Sequence, residues 1–172
     1  MDNIILIGFM GSGKSTIAKL LATALNMPFI DSDTYIAEKE KSGIKDIFTY
    51  KGEAYFRHLE SLFIESFSTQ KGYIIATGGG MPIFNNVRGL GVCFYLQSDF
   101  DTIAQRILKE KEATKENTRP LFDDISTAKA LYNERIKIYE NSCDYIIDSR
   151  QDTQAIVDRI ISLLHTKPIH PQ

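Results

Sequence analysis

One eight-residue run constrains this chain more than any other. Gly8-Phe9-Met10-Gly11-Ser12-Gly13-Lys14-Ser15 follows an apolar stretch at 4–7 and leads into a segment, Lys14–Leu25, whose apolar residues recur three and four apart. Glycines let a backbone curl so that successive amides face inward at phosphate oxygens, and the helix that follows offers its positive end to the same anion. The pattern GxxxxGK[ST] is met in full. Gly11, Ser12, Gly13, Lys14, Ser15 and Thr16 are therefore expected to hold the phosphates of a nucleoside triphosphate, with Lys14 on the β- and γ-phosphates and the Ser15 hydroxyl on Mg²⁺.

A phosphate loop of this kind needs a strand before it and a helix after it, and the rest of the chain continues that alternation. Short apolar runs fit strands at 4–7, 28–30, 73–76, 92–96 and 145–147, and segments with helical spacing lie between and after them at Lys14–Leu25, 53–67, 100–109, 127–139 and Thr153–Leu164. The expected fold is α/β, a three-layer sandwich in which a five-stranded parallel sheet carries helices on both faces and ligands gather at the carboxyl ends of the strands. With 172 residues the chain suits a single domain. Two stretches break the rhythm. Residues 33–67 insert what looks like two or three helices where a crossover needs one, and 111–124 is polar and weakly patterned, so both are candidates for handling substrate. Residues 166–172, with two prolines, read as a frayed tail.

The loop specifies a nucleotide but not what happens to it. Twenty Lys and Arg against 22 Asp and Glu give a formal net charge of -2, so no bulk charge draws the chain to nucleic acid or an anionic membrane. No apolar run approaches the roughly 18 residues of a membrane helix, and Met1-Asp2-Asn3 opens without a basic leader, so a cytoplasmic protein is expected. Cys93 and Cys143 lack metal-ligand spacing and fit buried free thiols, and His58, His165 and His170 carry no evident chemistry. A guanine-reading Asn-Lys-x-Asp set is missing, which argues against a switch GTPase.

An acceptor site is suggested by three further features. Asp31-Ser32-Asp33 ends the second apolar run, where two carboxylates two apart in an extended segment can divide labour, one serving metal or attacking hydroxyl and one the acceptor; N-capping by Asp33 of a following helix is the alternative. Ile75-Ala76-Thr77-Gly78-Gly79-Gly80 closes the third strand without an acidic residue, leaving Asp31 to serve the metal, and its three glycines suit close approach to the backbone or a tight turn. Arg57, Arg119 and Arg135 are each unremarkable singly, yet together their planar guanidinium groups could close around an anion.

In sequence order, the run 8–16, Asp31-Ser32-Asp33, Gly52-Glu53 with Phe56-Arg57 and Glu60, Gly78-Gly79-Gly80, Thr118-Arg119-Pro120-Leu121 and Tyr132 to Tyr139 as YNERIKIY resemble the shikimate kinase family, over nearly the whole chain. The resemblance implies a P-loop kinase that moves the γ-phosphoryl of ATP to the 3-hydroxyl of shikimate, with Mg²⁺ as cofactor. It implies that Asp31 supports the metal, that Asp33 holds the acceptor hydroxyls and acts as base, that Arg57 and Arg135 bind the shikimate carboxylate with a backbone edge from Gly79 and Gly80, and that Arg119 belongs to a lid over the phosphates. Phe48 and Phe56 would pack on the apolar side of the ring, and the enzyme is expected as a monomer. Ser32 stands where the family more often has threonine, and the segment near 150–153 matches poorly, so the adenine contacts are unassigned. Related kinases for gluconate, adenylate or another polyol are the rivals, and a neutral acceptor would not need two guanidinium groups.

Overall fold

The structure, a computed structural model, describes residues 1–114 and 120–165. Five short strands, β1 (Asn3–Ile7), β2 (Phe29–Asp31), β3 (Ile74–Ala76), β4 (Gly91–Gln97) and β5 (Tyr145–Asp148), form one parallel sheet in the order β2-β3-β1-β4-β5. The central strand shows why the sheet is covered on both sides. All five residues of β1 are buried, and alternate side chains serve opposite cores. Ile4 and Leu6 pack with Ile17, Leu21 and Ile156, whereas Ile5 and Ile7 pack with Phe63, Tyr95 and Tyr139.

The first core belongs to α1 (Lys14–Leu25) and α8 (Thr153–Leu164), the second to α6 (Phe100–Thr114), α7 (Ile125–Ser142) and the end of α4 (Glu53–Ser68). Helix starts are marked by side-chain caps where the chain leaves a loop. Asp124 accepts from the amides of Ser126 and Thr127 before α7, and Asp152 accepts from that of Gln154 before α8.

The expected insertion comprises three helices, α2 (Ser32–Glu40), α3 (Ile44–Lys51) and α4, with a small apolar cluster of their own built from Ile36, Ile47 and Phe56. A short helix α5 (Met81–Phe84) and a 3₁₀ turn at Arg88–Leu90 fill the connection from β3 to β4. Helix α6 runs five residues beyond the stretch that apolar spacing marks, because Glu110, Lys111 and Glu112 are good helix formers without being periodic. Residues 111–114 are thus helical, and Lys111 pairs with Asp123 at 3.1 Å. Arg119, with Asn117 and Thr118, lies outside the described residues, as does the tail 166–172. Cys93 and Cys143 are free and buried. Among the described residues no helix is long and apolar enough to cross a membrane.

Candidate active site

In the order β2-β3-β1 the loops after β1 and β3 and the end of β2 come to one edge of the sheet, and the first loop takes its shape from two glycines. Gly13 is the N-cap of α1 with φ +95°, and Gly11, at φ +76°, packs so closely on α6 that a Cβ would meet Ile107 at 3.0 Å. Few residues with side chains tolerate either conformation. The loop opens on a cleft of about 480 Å³ whose walls include Gly11, Gly13, Lys14, Ser15 and Thr16. Ser12 is the exception, being buried at 1% exposure. Lys14 Nζ donates to the carbonyls of Gly8 and Phe9, each at 2.9 Å, which holds the ammonium over the loop's own backbone.

Asp31 and Asp33 line the same cleft. Their segment is a strand-to-helix joint rather than an extended run, and the cap of α2 is Asp31, not Asp33. Asp31 Oδ1 accepts from the amides of Asp33 and Thr34, both at 3.1 Å, while its Oδ2 accepts from the Ser15 hydroxyl at 3.0 Å. One carboxylate therefore orients the helix that carries Asp33 and also faces the phosphate loop. A hydroxyl and a carboxylate oxygen so placed are hard donors that fit Mg²⁺, which takes one or two carboxylates and completes its shell with water and phosphate. No cluster of three His, Cys, Asp or Glu residues able to hold a metal occurs among the described residues, so phosphate oxygens would be needed as ligands here.

The glycines after β3 serve as sockets. Ser32, fully buried on α2, accepts a hydrogen bond from the Gly78 amide at 2.9 Å. A Cβ on Gly78 would stand 3.0 Å from Asp33 Cγ, and one on Gly80 would stand 2.9 Å from Arg57 Cζ. Gly80 has ordinary helical dihedrals, φ −85° and ψ −23°, so what excludes a side chain there is the guanidinium and not the backbone. The same three-residue loop thus touches the second carboxylate of the cleft at one end and Arg57 at the other.

Arg57 lies on an aromatic floor, its guanidinium carbon 4.1, 5.4 and 5.8 Å from the ring centres of Phe84, Phe56 and Phe48. Phe48 and Phe56 themselves meet at 4.7 Å. Glu53 Oε1 accepts from Arg57 Nη2 at 3.0 Å and Glu60 Oε2 from Nη1 at 2.9 Å. Glu60 is completely buried, which pushes its carboxyl up from 4.5 to about 7 against the opposing pull of Arg57. Asp33 raises it further and Arg135 lowers it, so the charges of all three expected acceptor groups are felt at this one carboxyl. Gly80, Arg57 and Arg135 are not among the walls of the phosphate-loop cleft, which Gly78 and Gly79 border.

Spacing did not single out Arg106, nor Glu60 and Tyr139 outside the family resemblance. Arg106, on α6, donates to Ser149 O at 2.5 Å and Ser12 O at 3.4 Å and so ties the phosphate loop to the turn after β5; it lines the cleft beside Glu110. Its signal was an arginine at the position of α6 that faces the loop, hidden in a segment read only for apolar period. Arg150, in the segment with no assigned contacts, is paired with Asp148 at 2.8 Å and Asp99 at 3.7 Å.

A glycine loop between strand and helix, with one carboxylate on its hydroxyl and another across a shared cleft, defines the chain as a P-loop phosphotransferase. The shikimate kinase family model matches residues 10–165. A shikimate kinase of Helicobacter hepaticus is 42% identical over 165 residues, 95% of this chain and 96% of its own. Among solved structures, shikimate kinase of Acinetobacter baumannii in complex with shikimate superposes with a TM-score of 0.81 at 29% identity, covering 95% of this chain and 93% of its own; that of Bacteroides thetaiotaomicron gives 0.84 at 29%, covering 96% and 99%. The chain belongs to the shikimate kinase family.

Proposed function

We propose that this chain transfers the γ-phosphoryl of ATP to the 3-hydroxyl of shikimate, giving ADP and shikimate 3-phosphate in the route to chorismate and the aromatic amino acids. The observation that carries the residue assignments is the Gly78 to Gly80 loop, which meets Asp33 at one end and Arg57 at the other and so joins the phosphate cleft to a guanidinium. In this reading the loop amides of Gly11 to Thr16 and the Lys14 ammonium receive the phosphates, and Lys14 leaves its backbone carbonyls for the γ-phosphoryl. Ser15 and Asp31 hold Mg²⁺, which when bound neutralises phosphate charge. Asp33, beside the glycine loop, accepts the proton of the attacking hydroxyl. Arg57 and Arg135 pair with the shikimate carboxylate, and the amides of Gly79 and Gly80 supply an edge for it. Arg119 is assigned to the phosphate lid on the family motif alone.

A monomer in the cytoplasm completes the reading; two buried free thiols suit a reducing compartment. The test is ADP release with shikimate, gluconate or water as acceptor. Release that depends on shikimate supports the proposal, and equal release with gluconate or with water alone overturns it.

A further inference from the structure

Tyr139 is a fully buried polar side chain that the assignments above leave unused. Its ring lies against Tyr95, with centroids 5.3 Å apart, but its hydroxyl leaves the apolar core and donates to the carbonyl of Gly79 at 2.6 Å, across 60 residues of sequence. Burial raises the phenol to about 12, so the proton that makes this bond is present at every physiological pH. Arg135 lies one turn earlier on the same face of α7, and its charge works against the upward shift of this phenol.

The carbonyl of Gly79 and the amide of Gly80 belong to one planar trans peptide and point in opposite directions. Fixing the carbonyl on α7 therefore aims the Gly80 N–H away from α7. The other side of Gly79 is fixed too, since its Cβ position lies 3.5 Å from both Gly8 O and Met10 N of the phosphate loop. Ring packing alone would hold α7 in place, yet it would leave the Gly79 carbonyl without this donor.

We infer that Tyr139 is a positioning residue for the acceptor, its hydroxyl aligning the Gly79 to Gly80 peptide toward the carboxylate that this peptide and Arg135 are to receive. This rests on the proposed assignment of Gly79, Gly80 and Arg135 to the acceptor. Tyr139→Phe keeps the ring and removes the hydroxyl; Tyr95→Phe, at the ring packed against it, controls for loss of a buried hydroxyl; Arg135→Ala reports on the assignment itself.

Tyr139→Phe is expected to raise KM for shikimate about tenfold, the scale of one well-made hydrogen bond, with kcat and KM for ATP within about twofold. Tyr95→Phe should leave all three within about twofold. An analogue lacking the carboxylate should bind wild type and Tyr139→Phe alike. If Arg135→Ala raises KM for shikimate and Tyr139→Phe does not, or if both tyrosine variants shift it equally, the inference is wrong and the assignment stands. If Arg135→Ala leaves KM for shikimate unchanged, both fall. Should Tyr139→Phe not fold, the wild-type enzyme decides by NMR: shikimate alone should shift the Tyr139 ¹³Cζ and Gly80 amide resonances together, and a response of Gly80 without Tyr139 overturns the inference.

Discussion

Arg57 Nη1 donates to Glu60 at 2.9 Å, and Glu60 is wholly removed from solvent. The guanidinium proposed to meet the acceptor is thus oriented by a carboxyl placed where charge is costly, and burial outweighs the ion pair in setting how that carboxyl titrates.

The consequence is a stability term with a definite sign. Glu60 titrates near 4.5 when unfolded and at about 7 in the folded chain, so between these values the folded state binds more protons and stability falls as pH rises. Relative to Glu60→Gln, wild type should lose about 3 kcal/mol between pH 4.5 and 7.5 and change little outside that window. Urea unfolding of both proteins across the range measures this. A difference that is flat, or that grows with pH, means the carboxyl is ionised in the fold at ordinary pH.

Gly80→Ala separates function from stability. The backbone there accepts alanine, and the atoms its methyl would meet are the far end of a flexible arginine, 2.9 Å away at Cζ. Displacing the guanidinium should raise KM for shikimate about tenfold, with the unfolding free energy lowered by no more than about 1 kcal/mol. A large loss of stability with KM intact would show that Gly80 is needed for packing and that Arg57 can move without penalty.

Asp31 has two jobs that different substitutions pull apart. Asparagine remains a good N-cap, so Asp31→Asn should keep α2 and stability while raising the Mg²⁺ needed for half-maximal rate about tenfold. Asp31→Ala should add a loss of about 1 kcal/mol from the missing cap. The Mg²⁺ titration and thermal melts are read together. Asp31→Asn with a wild-type Mg²⁺ profile would remove Asp31 from the metal.

Much of this was legible before any geometry. The limits of α1 agree with its apolar spacing to the residue, and the five apolar runs coincide with the five strands to within about two residues, because a buried parallel strand followed by a covering helix leaves strong periodic marks. What stayed hidden depends on approach between distant segments. Asp31 and Asp33 look alike in the chain, and only the start of α2 makes one of them the cap. Gly78 and Gly80 could as well have formed a turn until Asp33 and Arg57 were seen to occupy the room their missing side chains leave. Glu60 falls in the apolar stripe of Phe56, Phe63 and Phe67 on α4, but its partner cannot be read from that spacing, and Tyr139 reads as core, its hydroxyl bond to Gly79 set by tertiary contact alone.

Phosphorus NMR of the product formed from ATP, Mg²⁺ and shikimate tests the central claim most directly. A single phosphomonoester coupled to the proton on C3 of shikimate, formed one for one with ADP and lost in Lys14→Met, is the predicted result. ADP accompanied only by inorganic phosphate, or a phosphomonoester on another hydroxyl, would contradict it.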